Sequence, residues 1–258
     1  MTGSSRRGLA FSLTASLAFT VSTLSVQASV KSHQKISDTA GNFIAPLNDD
    51  DRFGIGVTPL GDLDGDGVAD IAVGAYLDDF YGDRFGAAYV LLLNADGTVK
   101  SHVKIGMGLG GFTGDLDFWD EFGVSVTAIG DLDDDGVMDL AVGARLDDDS
   151  PSYVVDGVDR GAVWILFLNA NGTVKSHQKI SDRFGGFTGG LSDGDWFGFY
   201  STALGDIDGD GVEDIAVSAT RDDDGGTDRG AVWILNLQAN GMVKSQYKIS
   251  GTQGGFTG

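Results

Sequence analysis

The 258-residue chain is strongly acidic: 38 aspartate and glutamate residues stand against 17 lysine and arginine residues, giving a formal net charge of −21. This charge argues against a nucleic-acid partner, because binding a phosphate backbone requires a basic surface. The absence of cysteine excludes disulfides and cysteine-based zinc sites, and 41 glycines with 41% hydrophobic residues are typical of a turn-rich β protein, not of a disordered acidic tail.

Residues 1–28 have the pattern of a secretory signal peptide. Arg6 and Arg7 form a basic start, residues 8–30 carry no charge, and small residues occupy the −3 and −1 positions of a cleavage site after Ala28. The alternative is an uncleaved membrane anchor, which the many serines and threonines and the good cleavage site disfavour. No other stretch approaches a membrane span. The sequence predicts an exported protein, secreted or at the cell surface, with no membrane span after cleavage.

Residues 29–258 are built on an internal repeat. The segment VKSHQKI, or a close variant, begins at Val30, Val99, Val174 and Val243, with spacings of 69, 75 and 69 residues. The predicted repeats therefore cover about 30–98, 99–173 and 174–242, with a partial repeat at 243–258.

Each complete repeat contains four short apolar runs that read as strands. The third strand is predicted at 87–93, 162–168 and 231–237, and the VKSHQKI segment is the fourth. Residues 30–36 are then a lone fourth strand. No amphipathic helix follows residue 30. Four strands per unit of about 70 residues predict an all-β fold of propeller-type blades.

An aspartate-rich loop, GDLDGDGVAD in the first repeat, connects the first two strands of every complete repeat. Its aspartates occupy positions 1, 3, 5 and 9, and a glycine at position 6 permits a sharp turn, so the carboxylates converge. Hard oxygen ligands in this number suit Ca²⁺, and the backbone carbonyl of position 7 is a further ligand. The predicted metal ligands are Asp62, Asp64, Asp66, Val68 and Asp70; Asp131, Asp133, Asp135, Val137 and Asp139; and Asp206, Asp208, Asp210, Val212 and Asp214.

Three such loops predict about three Ca²⁺ ions. The alternative is an acidic surface turn without metal, which three copies in the same context disfavour. An EF-hand is excluded because position 12 is Val73, Val142 or Val217, where the EF-hand needs a glutamate, and because strands follow the loops.

In their ordered motifs, the units resemble the FG-GAP repeats of integrin α-chain β-propellers. The matching features are Phe-Gly before the first strand (53–54, 122–123, 197–198), the aspartate loop, and Gly-Ala-Ala or Gly-Ala-Val where the family has Gly-Ala-Pro. The resemblance implies blades of four antiparallel strands, with structural Ca²⁺ between the first two strands on one rim. Asp134 replaces a glycine at position 4, which is not a ligand position.

The same resemblance implies a protein-binding or cell-adhesion module rather than an enzyme. Its partner would be an extracellular protein or surface glycan, met by the rim loops opposite the Ca²⁺ loops. The alternatives are an exported propeller hydrolase and a purely structural segment of a larger surface protein.

The number of blades departs from the family. Integrin propellers have seven blades, whereas this chain has about three, so the expected architecture is an incomplete or truncated propeller. The remaining blades would come from a longer natural chain or from oligomerisation. Without them, two apolar blade faces stay open to self-association.

Other conspicuous residues point to structure rather than catalysis. His33, His102 and His177 recur at one strand position and are predicted at the surface of the edge strand, since a catalytic group seldom repeats on every blade. Acidic runs at 49–51, 147–149 and 222–224 are predicted to share a structural or rim role. Trp119 and Trp196 are expected either in the core or on the rim.

Overall fold

The computed structural model of the chain describes residues 29–80, 83–149 and 158–255. The predicted signal peptide lies outside the described residues. The chain divides into two units, 1–33 and 34–258, and the fold below belongs to the second.

Within the described residues, fourteen strands form three four-stranded antiparallel sheets and one short hairpin. In chain order the strands are β1 (Val57–Gly61), β2 (Asp70–Ala75), β3 (Asp79–Phe80), β4 (Asp83–Arg84), β5 (Ala87–Leu93), β6 (Val99–Ile105), β7 (Phe122–Ala128), β8 (Leu140–Ala144), β9 (Ala162–Leu168), β10 (Val174–Ile180), β11 (Phe197–Gly205), β12 (Asp214–Ala219), β13 (Ala231–Leu237) and β14 (Val243–Ile249). The first blade is β1-β2-β5-β6, the second β7-β8-β9-β10 and the third β11-β12-β13-β14, while β3 pairs with β4. This confirms the predicted all-β, propeller-type architecture.

The place of each strand in its sheet explains how much of it is buried. β9 is buried along its whole length because strands flank it and blades cover both faces, whereas β10 buries only its two ends. A tight turn joins them, with Asn169 N–H donating to the Thr173 carbonyl at 2.8 Å and Gly172 at φ +80°. The predicted bounds of the third and fourth strands agree with the structure in all three blades.

The predicted lone strand at 30–36 is wrong. Residues 29–36 form no strand, and the first paired residues are Ser37 and Ala40, which form an isolated bridge. The same sequence pattern is a strand at β6, β10 and β14 because a third strand lies beside it there. No strand among the described residues supplies that partner to residues 30–36.

Two apolar clusters join the blades. One connects the first and second blades through residues such as Ile105 and Phe122, and the other connects the second and third blades through residues such as Val163 and Phe197. Trp164 and Trp233 belong to these clusters, and each is 4% exposed. Each blade therefore buries apolar side chains by stacking on its neighbour.

Backbone groups also connect successive blades directly. Phe122 N–H donates to the Phe85 carbonyl at 3.0 Å, and Phe197 N–H donates to the Arg160 carbonyl at 2.9 Å. Parallel bridges join Gly86 to Phe122 and Gly161 to Phe197. We call this contact a seam: the leading edge is the Phe-Gly that opens a blade, and the trailing face is the preceding blade's surface around its third strand.

The described residues include no helix long and apolar enough to cross a membrane.

Candidate metal centres

The three aspartate loops lie at the same place in each blade, between β1 and β2, β7 and β8, and β11 and β12. In each loop, three carboxylates offer oxygen atoms that lie within 4.8 Å of one another. These groups are Asp62, Asp64 and Asp66; Asp131, Asp133 and Asp139; and Asp206, Asp208 and Asp210. Most of the predicted carboxylates are thus brought together, while Asp70, Asp135 and Asp214 lie outside the three groups.

The position-1 aspartate accepts backbone hydrogen bonds from the residues that follow it in the loop. In the first loop, the two carboxylate oxygens of Asp62 accept hydrogen bonds from Asp66 N–H and Gly67 N–H, both at 2.8 Å. Asp131 and Asp206 repeat these contacts. The position-6 glycine has a left-handed φ, +89° for Gly67, which a side chain would strain. The predicted turn role of this glycine is confirmed.

The position-9 aspartate anchors the loop to the blade. Asp70 is fully buried, and its carboxylate accepts hydrogen bonds from Leu63 N–H at 2.9 Å and Leu93 N–H at 2.8 Å. Asp139 and Asp214 make equivalent bonds at 3.0 Å. Burial raises the pKa of Asp139 to about 6, against the opposing effect of these backbone donors. Each such oxygen keeps a second lone pair, so position 9 supports the strand connection whether or not it binds metal.

A lysine from the fourth strand lies on each loop. Lys100 Nζ is 2.7 Å from Asp64 and 2.5 Å from Asp66, and Lys244 Nζ is 2.8 Å from Asp208 and 2.5 Å from Asp210. Lys175 contacts Asp133 at 2.7 Å and also Asp135. The sequence reasoning missed these lysines, although the recurring Val-Lys-Ser at the start of the fourth strand was the available signal.

These lysines shift the titration of the loops. The hydrogen bond from the lysine is the largest cause of the lowered pKa of Asp66, Asp135 and Asp210. The same contacts raise the pKa of Lys100, Lys175 and Lys244. Each loop is thus a cluster of carboxylates that contacts one ammonium group of the same blade.

The donor set fits a calcium ion. A separation within 4.8 Å is about twice a Ca–O distance of 2.3–2.6 Å, so one ion can contact three carboxylates of a loop. Every side-chain donor in these groups is a carboxylate oxygen, the type that hard cations prefer. The carbonyls of Val68, Val137 and Val212 remain predicted ligands.

A second acidic constellation, which the sequence reasoning did not resolve, is buried at another part of each blade. An aspartate two residues before Phe-Gly and another after the second strand are nearly inaccessible, and a fourth-strand lysine pairs with the latter. Lys104 lies 2.6 Å from Asp78, Lys179 2.6 Å from Asp147 and Lys248 2.7 Å from Asp222. The other buried carboxyls are Asp51, Asp120 and Asp195.

This constellation corrects part of the reading of the acidic runs. Asp51 corresponds to Asp120 and Asp195, whereas Asp147 and Asp222 correspond to Asp78, so the runs do not all occupy the same position. The ion pairs of Asp147 with Lys179 and of Asp222 with Lys248 support the predicted structural role of these runs. Burial, followed by the charge of Asp147, raises the pKa of Asp120 well above its usual range.

Two of the repeated histidines pack on aromatic rings. His102 lies edge-on to Phe43 with ring centroids 5.1 Å apart, and His177 lies 4.9 Å from Phe112. Both are half-buried, which lowers their pKa. The expectation of simple surface residues is therefore wrong for these two, because the loop before each blade folds its phenylalanine over the edge strand.

Trp119 and Trp196, which were expected either in the core or on the rim, pack against arginines. Trp119 is 48% exposed beneath Arg84, with the guanidinium carbon 5.0 Å from the ring centroid. Trp196 lies between Arg145 at 4.5 Å and Arg221 at 4.2 Å. Both are cation–π platforms outside the apolar clusters rather than core residues.

Comparisons with known proteins identify repeats in two of the three blades. A family model described as FG-GAP repeat matches residues 53–91 and 198–235, which lie in the first and third blades and include their aspartate loops. The second blade repeats the same sheet order and loop geometry.

Several integrin α-chains are similar to this chain. Integrin alpha-PS2 of Drosophila melanogaster is 30% identical over 214 residues, covering 80% of this chain and 14% of that protein. Integrin alpha-5 of Xenopus laevis is 31% identical over 172 residues, covering 65% and 14%. Integrin alpha-IIb of Homo sapiens is 35% identical over 127 residues, covering 48% and 11%. The chain thus matches only 11–14% of the length of these relatives.

Proposed function

The chain contains FG-GAP repeats of the kind found in integrin α-chains, and from this premise we propose that it is an exported calcium-binding module for adhesion or protein binding. The observation that carries the proposal is the recurrence of a three-carboxylate group at one strand connection in all three blades. Ca²⁺ is structural in this proposal, and the module is not an enzyme.

The proposed ligands do two things in each loop. Carboxylates supply oxygen atoms to the ion, from positions 1, 3 and 5 in the first and third loops and from positions 1, 3 and 9 in the second. Asp70 and its counterparts also tie the same loop to the third strand through Leu93 N–H and its equivalents. The ion would neutralise like charges that otherwise repel within the loop. Calcium binding would therefore rigidify the connection between the first two strands of each blade.

The rigid blades would present the remaining rim loops to a partner. The loops that precede Phe-Gly and those that follow the second strand carry exposed acidic residues and the arginine-bound Trp119 and Trp196. Loops positioned by a stable scaffold commonly carry recognition. We assign the binding of an extracellular protein or surface glycan to these loops.

A purely structural role within a larger surface protein is the second candidate. It is favoured by one observation, that the matched integrin α-chains are about seven times longer than the aligned region. The two candidates share the calcium sites and differ in whether the loops bind a partner.

Calorimetric titration of the full chain with Ca²⁺ tests the metal assignment. We expect three ions per chain and a melting temperature that rises with Ca²⁺ and falls with EDTA, because a ligand of the folded state stabilises it. The double variant D64A/D66A should retain two ions. D134G, which changes position 4 of the second loop, should retain three. Absence of binding heat together with a melt unchanged by EDTA would refute the proposal.

A further inference from the structure

The two ends of the blade stack carry the two halves of a seam. At the trailing face of the third blade, Val232 is 39% and Ile249 38% exposed, whereas their counterparts in the second blade, Val163 and Ile180, are fully buried by the next blade. A groove of about 610 Å³ lies beside Val232 and Ile249 and is bordered by Arg229. The third blade thus exposes the surface that the first two blades bury.

The leading edge of the first blade is open in the complementary way. Ile55 is 51% and Val57 59% exposed, whereas their counterparts Val124 and Val126 are 5% and 7% exposed. A Cβ atom built on Gly54 would meet nothing within 4 Å, although the equivalent atom on Gly123 would lie 2.1 Å from the Ala87 carbonyl oxygen. This Phe-Gly edge is therefore free of the contact that its counterparts make.

Each internal seam has one pair of contacting side chains, one from each blade, and this pair indicates which surface could bind the open face. In the first seam, Phe85 packs on Phe118 with ring centroids 5.2 Å apart. In the second seam, the corresponding residues are Arg160 and Asp193, an ion pair at 2.8 Å. The residues at these two positions on the open ends are Arg229 and Asp49, which are both exposed and opposite in charge. Neither forms an ion pair with any described residue.

We propose that the open trailing face binds the leading edge of a second copy of this chain, with Arg229 of one copy paired to Asp49 of the other. Two copies related by a twofold axis would form two identical seams and bring six blades together. Six lies within the range of four to eight blades that propellers use, whereas three copies would give nine. The expected species is therefore a dimer.

One residue makes this seam weaker than those within the chain. In the internal seams, a Cβ atom on Gly74 or Gly143 would lie 2.1 or 1.9 Å from a carbonyl oxygen of the next blade. The corresponding residue in the third blade is Ser218, whose hydroxyl is bonded to Tyr200. Its Cβ atom prevents the same close approach, so the seam between copies must be wider at this point.

Sedimentation of the full chain over a wide concentration range tests the proposal. We expect a reversible dimer, and S218G should lower its dissociation constant by roughly tenfold, the scale of relieving one overpacked contact. R229D should weaken the dimer, and adding D49R to R229D should restore it. R183D changes the charge of an exposed arginine away from both ends and serves as the control, with no effect expected.

The opposite results overturn the proposal. They are a chain that stays monomeric at every concentration, or a dimer that R229D leaves unchanged. A monomer would mean that a blade from another polypeptide segment covers the face. V232D provides a second test on the apolar part of the seam, and folded but undiminished dimers of V232D would also contradict it.

Discussion

Lys100, Lys175 and Lys244 place an ammonium group on the carboxylates at positions 3 and 5 of each loop. A divalent ion bound to the same carboxylates would be repelled by this charge, and the lysine would lose its hydrogen bonds. Without the ion, the lysine reduces the repulsion among the aspartates. A single residue therefore stabilises the metal-free loop and opposes metal binding.

Replacing Lys100 with methionine separates these two effects. We expect K100M to bind Ca²⁺ severalfold more tightly at the first loop and to melt at a lower temperature without Ca²⁺, because the like charge and the compensating charge are removed together. The gain in affinity should shrink at high salt, since exposed charges are screened. Calorimetric titration with Ca²⁺ at two salt concentrations measures this gain in affinity. K35M, at an exposed position away from the loops, is the control, and weaker binding by K100M would contradict the argument.

At the scale of strands and loops, local sequence was sufficient for much of the fold. The bounds of β5, β9 and β13 were predictable because runs of seven mostly apolar residues are followed by turn residues. The aspartate loops were predictable because their recurring aspartates and glycine lie within nine residues. Residues 30–36 show the limit of such reasoning, since the same heptapeptide is a strand only beside a partner strand.

Long-range pairs could not be predicted in the same way. Lys100 is 36 residues from Asp64, and the Asp120 carbonyl before β7 accepts a hydrogen bond from Leu146 N–H, in the loop that follows β8 and contains Asp147. Within a single sequence, repetition indicates that these residues matter but not which of them are in contact. The convergence of carboxylates within each loop was therefore predictable, while their lysine partners and the buried carboxyls were not.

The buried Asp120 predicts an unusual pH dependence. Its folded-state pKa is raised, so the folded protein binds this proton more tightly than the unfolded chain, whose aspartates titrate near pH ~3.9. The contribution of Asp120 to the free energy of unfolding is therefore favourable below pH ~3.9, and it is lost as the pH rises through the folded-state pKa. D120N keeps the acceptor for Asp117 N–H and removes the charge. We expect D120N to be more stable than the natural chain at neutral pH and to lose this advantage near pH ~4.

Urea denaturation at several pH values measures the difference. D38N changes an exposed aspartate and should leave the pH profile of stability unchanged. A D120N variant that is less stable than the natural chain at pH 7 would show that the ionised carboxylate is stabilised in the folded state.

At the scale of the whole molecule, stability depends on the seams as well as on the blades. Repeat proteins gain stability from each unit and from each interface between neighbours. Here each interface brings two backbones into contact at a glycine: the Gly198 carbonyl lies against Gly143, and the Gly123 carbonyl lies against Gly74. The seam is therefore more sensitive to one added methyl group than the sheets are.

The variant G143A tests this dependence. The new Cβ atom would lie 1.9 Å from the Gly198 carbonyl oxygen and 2.4 Å from Ser125 Oγ, which itself donates to that carbonyl at 3.0 Å. The second and third blades must then separate, and burial in their shared apolar cluster is lost. We expect a loss of at least about 2 kcal/mol in the free energy of unfolding. S218A, at the same position of the third blade, adds no new Cβ atom and loses only the hydroxyl that is bonded to Tyr200, so it should cost much less. Urea denaturation followed by tryptophan fluorescence compares the two, and equal stabilities would mean that the close glycine contact does not hold the blades together.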